Sequence, residues 1–275
     1  MITIIGGAGL VGASLQRKLE SEGYEVAALD RGRLDLNKQD TFEAIPSNTR
    51  ILVHAAGIVG SSAPDLVTWQ TNLHSTYYLT RFLNKERRID FMLYVSTGAV
   101  YASSEEPILA GAPENPGSLY GMTKLLSEKT LDMLLQVQVA HARIFFPIGP
   151  GQRLPRLLPG LIKRIMANET VELDTEEGLP MINPIIVDEL AEQLFNILKS
   201  DGSRKRIYNL GGSVRLSIRQ LAEKVAQALD VKPVFNVSNR GGKSLFCQPD
   251  FPSSTGESFD RSFRDIVTSI ASRLQ

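Results

Sequence analysis

With 275 residues, 43% of them hydrophobic, the chain is long enough to bury a core as one or two soluble globular domains. Its 30 basic residues balance its 30 acidic ones, which leaves no basic stripe for nucleic acid and no like-charge tail. Cys247 is the only cysteine, and His54, His74 and His141 are widely spaced, so a disulfide framework and a metal site are both excluded from the expectations.

The opening stretch MITIIGGAGLVGASL is too short for a membrane span, has no basic leader and is broken by glycines, so no membrane partner is expected and the cytoplasm is the expected location. In chain order, ITII is a β-branched run, the glycines follow at once, and Leu10, Val11, Leu15 and Leu19 then recur at helical spacing until Gly23. YEVAALD supplies a second strand that ends on Asp30, which completes a βαβ unit. Gly6, Gly9 and Gly12 follow G-x-x-G-x-x-G, where a pyrophosphate approaches the backbone too closely for a Cβ and rests on the free N–H groups of a helix start. A tight turn needing positive φ would explain glycines there without a ligand. Asp30 weighs against that plain explanation, because a carboxylate at the end of the second strand can accept both hydroxyls of an adenosine ribose.

The alternation then repeats. RILVHAAG reads as a buried strand, DLVTWQTNLHSTYYLTRFLNKER as one long helix, DFMLYVSTGAVY as a strand, SLYGMTKLLSEKTLDMLL as a helix and VAHARIFFPIGPG as a strand running into a Pro/Gly break. This predicts an α/β fold, a Rossmann-like doubly wound parallel sheet with ligands at the carboxyl ends of its strands. Tyr120 and Lys124 share one face of a helix, so the lysine charge can lower the phenol pKa and make Tyr120 a usable acid or base. Thr97, at the end of the preceding strand, can hold a substrate oxygen within reach of that phenol.

These motifs, GGAGLVG, Asp30, the Asp35–Leu36 pair, HAAG at 54–57, Asn72, VSTGAVY at 95–101 and YGMTK at 120–124, occur in the order seen in extended short-chain dehydrogenase/reductases. The similarity is greatest to nucleotide-sugar epimerases, dehydratases and reductases. It runs on through RIFFPIGPGQR, NPIIVDELAEQLF and IYNLGGSVRLSIRQLAEKVAQAL, over roughly residues 1 to 230. The resemblance implies that Gly6, Gly9, Gly12, Leu10 and Val11 hold the pyrophosphate turn, that Asp30 meets the adenosine ribose, that Arg31 contacts a 2′-phosphate or stacks on adenine, and that Asp35 and Leu36 meet the adenine edge. Ala55, Ala56, Gly57, Asn72, Ser96 and Pro147 would line the rest of the cofactor path. Thr97, Tyr120 and Lys124 match the catalytic set, with Lys124 also on the nicotinamide ribose. The implied chemistry is proton removal by Tyr120 and hydride transfer to the nicotinamide, through a transient keto intermediate.

Departures from the family pattern narrow the choice. Gly98 and Ala99 follow Thr97 where 4,6-dehydratases carry Asp-Glu, which disfavours water elimination. Phe146 stands where many nucleotide-sugar enzymes have a diphosphate-binding Asn, so Arg153, Arg156 and Arg240 become candidate substrate contacts, because guanidinium matches phosphate geometry. Arg31 leaves NADP open, whereas Asp30 would repel a 2′-phosphate, and NAD is the expected cofactor. The expected activity is a nucleotide-sugar epimerase. A 4-keto-sugar nucleotide reductase and a dinucleotide-sensing regulator without turnover are the alternatives.

From residue 150 onward, RLPRLLPGLIKRIMANETVEL shows Pro-bounded helical spacing, and NRGGKSLFCQPDFPSSTGES reads as loop before a last helix. GGKS is not a P-loop, since Val237 stands where its first glycine would fall. Residues 1–150 are expected to form the dinucleotide-binding domain, with 183–210 returning to it. The expected substrate-binding part is 151–182 with 211–275. The resemblance further implies a homodimer built on the helices containing 66–84 and 120–135.

Overall fold

Ile2–Ile5 (β1) is buried along its whole length, as a β-branched run must be when helices cover both faces of a sheet. The computed structural model describes residues 1–59, 65–86, 89–200 and 206–274. After β1 come helix α1 (Leu10–Ser21) and strand β2 (Val26–Leu29). The chain then crosses to the other side of β1 and lays down β3 (Ile51–His54), β4 (Phe91–Thr97), β5 (Gln138–Ile144) and, much later, β10 (Ile207–Leu210). All neighbouring pairs are parallel, in the order β10-β5-β4-β3-β1-β2. The order reverses between β1 and β3, and that is where such a sheet opens a crevice at its carboxyl edge.

Each face of the sheet has its own core, because side chains alternate along a strand. Ile4, Val53, Leu93 and Ala142 pack under α1 and under α6 (Val187–Lys199) with Leu15, Leu19, Leu190 and Leu194. Ile5, Leu52, Met92 and Tyr94 pack on the opposite face with Leu79 of α3 (Ser75–Glu86) and Leu131 of α4 (Leu119–Leu134). A third cluster lies away from the sheet. It joins α5 (Leu157–Met166), α7 (Ile218–Ala228) and α8 (Gly256–Ala271) through Leu158, Ile162, Leu221, Val225, Phe263 and Val267.

Three local features differ from the sequence expectations. The long helix after β3 is divided: α2 (Asp65–Trp69) leads into a π turn over Gln70–His74 before α3 begins, and the expected end at Arg87 lies outside the described residues. Its extra residue accommodates Asn72, whose amide turns back to bond both backbone groups of Ile58. The strand expected over 139–151 stops at Ile144, because Phe146 adopts φ +45°, and resumes as the two-residue β6 (Pro147–Ile148). The tail expected as plain loop is stitched to the segment following β4: Ile108 donates to the Phe246 carbonyl and accepts from Gln248 N, each at 3.0 Å, and Ser104 donates to the Ser244 carbonyl.

Helix α4 is set against the end of β4 by a glycine. Ser118 caps its first turn by accepting from Gly121 N, and a Cβ at Gly121 would fall 2.1 Å from the Ala99 carbonyl oxygen. The helix therefore approaches the turn after Thr97 more closely than any residue with a side chain allows. Gly121→Ala is expected to destabilise the fold by about 1–3 kcal/mol, as overpacking does. Urea unfolding of the variant would show it, and a midpoint equal to wild type would mean that the contact gives way freely.

Candidate active site

The crevice between β1 and β3 is lined by backbone. Gly6 has φ +90°, and a Cβ there would lie 2.7 Å from Ala56 N. On α1, a Cβ at Gly12 would lie 2.3 Å from the Gly6 carbonyl oxygen. Helix α1 starts after Gly9 with no side-chain cap, so the unbonded N–H groups of its first turn remain open to an anion. A cavity of about 340 Å³ extends from this turn, bounded by Gly9, Asp30, Arg31, Leu36, Ala56 and Gly57. A cradle closed to side chains, ending on a carboxylate, fits a dinucleotide.

The carboxylate of Asp30 is partly committed to its own turn. Its Oδ1 accepts from Gly32 N at 3.0 Å and Arg33 N at 3.1 Å, while Oδ2 takes no such bond among the described residues. Arg31 is exposed, with Nε 3.7 Å from Asp35 Oδ2. Asp35 in turn accepts from Asn37 N, and the Leu36 side chain is buried in the core beneath. Leu10 points toward the 149–151 loop, and Val11 packs into the core under α1. Beyond Ala55 the wall continues to Gly57, where an added Cβ would lie 3.3 Å from Asn72 Oδ1. The Asn72 amide is spent on Ile58 and, at 3.3 Å, on Thr123 Oγ1, so it fixes the loop after β3 to α4.

Thr97 ends β4, with Oγ1 accepting from Ala99 N, and Tyr120 stands on the first turn of α4. Burial pushes the Tyr120 phenol up, while the Thr97 hydroxyl and the Arg156 charge pull it back. The lowering expected from Lys124 is not present in this structure. Lys124 is buried, and its Nζ lies 4.0 Å from the centroid of the Tyr94 ring. Burial takes its pKa down to about 7, against the opposing pull of the Glu128 carboxylate. In this state desolvation outweighs charge pairing for both groups. Ser96, expected on the cofactor path, donates its hydroxyl to Glu128 Oε1 at 2.5 Å.

The expected substrate contacts are distributed unevenly. Arg156, at the N-cap of α5, is near enough for its charge to act on Tyr120. Arg153 and Arg240 stand exposed on irregular segments and form no ion pair among the described residues. Phe146 is half-buried and packs against both the α5–α7–α8 core and the small cluster of Val100, Tyr101 and Phe145, with its carbonyl accepting from Ile185 N. Pro147 opens β6, and its carbonyl accepts from Gln152 Nε2. Tyr94, Glu128 and Arg143 escaped the sequence reading. Glu128 had a visible signal, standing one helical turn beyond Lys124.

No helix among the described residues is long and apolar enough to cross a membrane, and no group of His, Cys, Asp or Glu among them is placed to hold a metal ion. A family model described as "NAD dependent epimerase/dehydratase family" matches residues 2–211. Among curated proteins, UDP-glucose 4-epimerase of Lactobacillus helveticus is 25% identical over 88% of this chain and 86% of its own. GDP-L-fucose synthase of Sinorhizobium fredii is 23% identical over 88% and 84%. A solved structure, UDP-glucose 4-epimerase of Thermus thermophilus in complex with NAD, matches with TM-score 0.83 at 20% identity and 98% coverage of both chains.

Because Lys124 titrates near 7 in the folded protein and at its ordinary 10.5 in the unfolded chain, its burial cost is full below pH 7 and is relieved as pH rises toward 10.5. Lys124→Met is therefore expected to stabilise the protein at pH 7 by ~1 kcal/mol or more, and the gain should shrink by pH 10. Paired denaturation curves at the two pH values test this. A variant less stable than wild type at pH 7 would show that the ammonium supports the fold.

Proposed function

Because the chain belongs to the NAD dependent epimerase/dehydratase family, we propose that it is an NAD-dependent epimerase acting on a nucleotide sugar. One observation carries this reading. The glycine cradle opens beside a rim where Thr97, Tyr120 and Lys124 converge from the end of β4 and one face of α4. A protein that only senses dinucleotide has no need of a buried phenol whose acidity is tuned by a threonine and an arginine at that rim. A relative named UDP-glucose 4-epimerase aligns with this chain over 86% of its own length, which supports the reading.

The free N–H groups at the start of α1 would receive the pyrophosphate, and Asp30 Oδ2 would accept from the adenosine ribose. That carboxylate favours NAD over the 2′-phosphorylated form by repulsion. When bound, NAD supplies a two-electron acceptor that can also return the pair. The protein's own part is the proton. The Tyr120 phenolate takes the proton of the sugar hydroxyl being oxidised, becoming the phenol, and gives that proton back after the carbon has been presented on its other face. Thr97 Oγ1 holds the same oxygen, the Arg156 charge favours the phenolate, and Lys124 serves the nicotinamide ribose. Arg156 brings a positive charge to the substrate side, where a diphosphate needs directed donors. The α5–α7–α8 layer supplies the other wall of the cleft. Residues Leu66, Trp69, Tyr77, Met122 and Met133 leave apolar surface exposed on α2, α3 and α4, and we assign that face to a second copy of the chain in a cytoplasmic homodimer.

The activity is tested by incubating NAD-loaded protein with UDP-, dTDP- and GDP-hexoses and following the sugar stereocentres by NMR. At least one is expected to be epimerised, and Tyr120→Phe should lose 10²-fold or more in rate while its NAD affinity is retained. Loss of neither sugar configuration with any of the three nucleotides would remove the epimerase reading. For the dimer, sedimentation of Trp69→Arg is expected to show a monomer where wild type shows two copies. A wild-type monomer at micromolar concentration would end the assignment.

A further inference from the structure

The ammonium of Lys124 poses a physical problem. It is 3% exposed, and no hydrogen bond to its Nζ forms among the described residues. A buried cation without acceptors is costly, so something else must hold it. Two groups offset that cost, one by contact and one by its charge. The face of the Tyr94 ring lies beneath it at 4.0 Å, and the Glu128 carboxylate follows one helical turn along α4.

Both supports are themselves fixed. Tyr94 lies in register between His54 on β3 and His141 on β5, with ring contacts to the two at 5.3 and 6.0 Å. The Tyr94 side chain is buried in the core under α3 and α4. Packing between the two histidine rings keeps its face toward the lysine. Glu128 Oε1 accepts from Ser96 Oγ and from Arg143 Nε at 3.1 Å, and Oε2 accepts from Arg143 Nη2 at 2.6 Å. Arg143 is fully buried and stacks on Tyr101 with its guanidinium carbon 4.7 Å from the ring centroid. On the far side of the ammonium lies the cofactor crevice. A Cβ added to Gly57, which lines the cavity, would fall 3.8 Å from Lys124 Nζ.

We infer that Tyr94 and Glu128 are positioning residues for Lys124: the ring face and the carboxylate hold the ammonium charged and turned toward the Gly57 wall of the dinucleotide crevice. The inference rests on the reading that Lys124 serves the bound dinucleotide. The titratable and charged groups around the lysine are Tyr120 and Glu128 on its own helix, His54 on β3, Tyr94 on β4 and Arg143 on β5, with Arg156 acting beyond Tyr120. His54 adds no competing charge. Burial, helped by the Lys124 charge, takes it down to about 3, and neither of its ring nitrogens has a hydrogen-bond partner among the described residues.

The test is NAD binding by calorimetry from pH 6 to pH 9.5, with no substrate present. Wild-type affinity is expected to fall as pH rises through the ionisation of Lys124 near 7, and Lys124→Met should bind more weakly at pH 6 and show no break. Tyr94→Phe keeps the ring and should keep the wild-type break. Tyr94→Leu removes the aromatic face while leaving the site apolar, and should move the break down by about 0.5–1.5 pH units. Glu128→Gln should move it in the same direction. Because Glu128→Gln leaves Arg143 buried with less compensation, that variant can fail to fold, and the Tyr94 pair then decides alone. A break unmoved in Tyr94→Leu, with the break abolished in Lys124→Met, would overturn the positioning role and leave the lysine's role standing. A Lys124→Met variant that keeps both the wild-type affinity and the break would overturn the underlying reading, and the positioning role with it.

Discussion

The interaction on which the site depends is a lysine charge kept out of water. Everything around Lys124 is arranged on that condition. The face of Tyr94 is turned to it, His54 is held neutral beside it, and the Glu128 carboxylate stands one turn away. Glu128 could not be buried there alone, and the guanidinium of Arg143 satisfies both its oxygens from the next strand. Arg143 also reaches Glu114 at 2.7 Å, in the segment between Thr97 and Tyr120. One chain of charges thus runs from the helix face of Tyr120 and Lys124 to the segment that joins β4 to α4. Buried ion pairs of this kind add little to stability on their own, and their use lies in fixing geometry.

Much of the architecture was legible because it is periodic. Apolar runs of four to seven residues alternating with amphipathic segments specify a parallel sheet covered on both faces, and the glycine spacing marks the one place where backbone must approach backbone. Tyr120 and Lys124 could be placed together because the helical repeat is fixed. The π turn at Gln70–His74 was not legible, since it depends on the Asn72 amide finding Ile58 fourteen residues back. The break at Phe146 was hidden for a related reason. A phenylalanine with φ +45° is rare, and its sequence context reads as continuous strand until packing on two separate cores fixes the backbone.

The electrostatics were the least legible part. Spacing places Lys124 beside Tyr120 along the helix, yet the direction in which a lysine side chain runs depends on what the neighbouring strand offers. Here β4 offers an aromatic face, and the ammonium lies on it. Arg143 read as part of a strand, and only the parallel register between β4 and β5, which sets Ser96 opposite Arg143, brings it to Glu128. Long-range pairing decides such contacts, and sequence spacing carries no record of it.

The stitching of the Ser104–Ile108 segment to Ser244–Gln248 bears on the order in which the molecule is made. Thr97, Tyr120 and Lys124 all leave the ribosome within the first half of the chain, and the sheet that carries them can begin to form behind them. Ser104 and Ile108, between Thr97 and Tyr120, have backbone partners more than a hundred residues later, and Asn209, which accepts from the Tyr101 hydroxyl, is as distant. A nascent chain that already contains all three residues therefore still lacks the partners of the Ser104–Ile108 segment between them. Contacts of such high sequence separation slow folding in general, and here the segment between β4 and α4 is completed only by residues that follow the sheet's last strand.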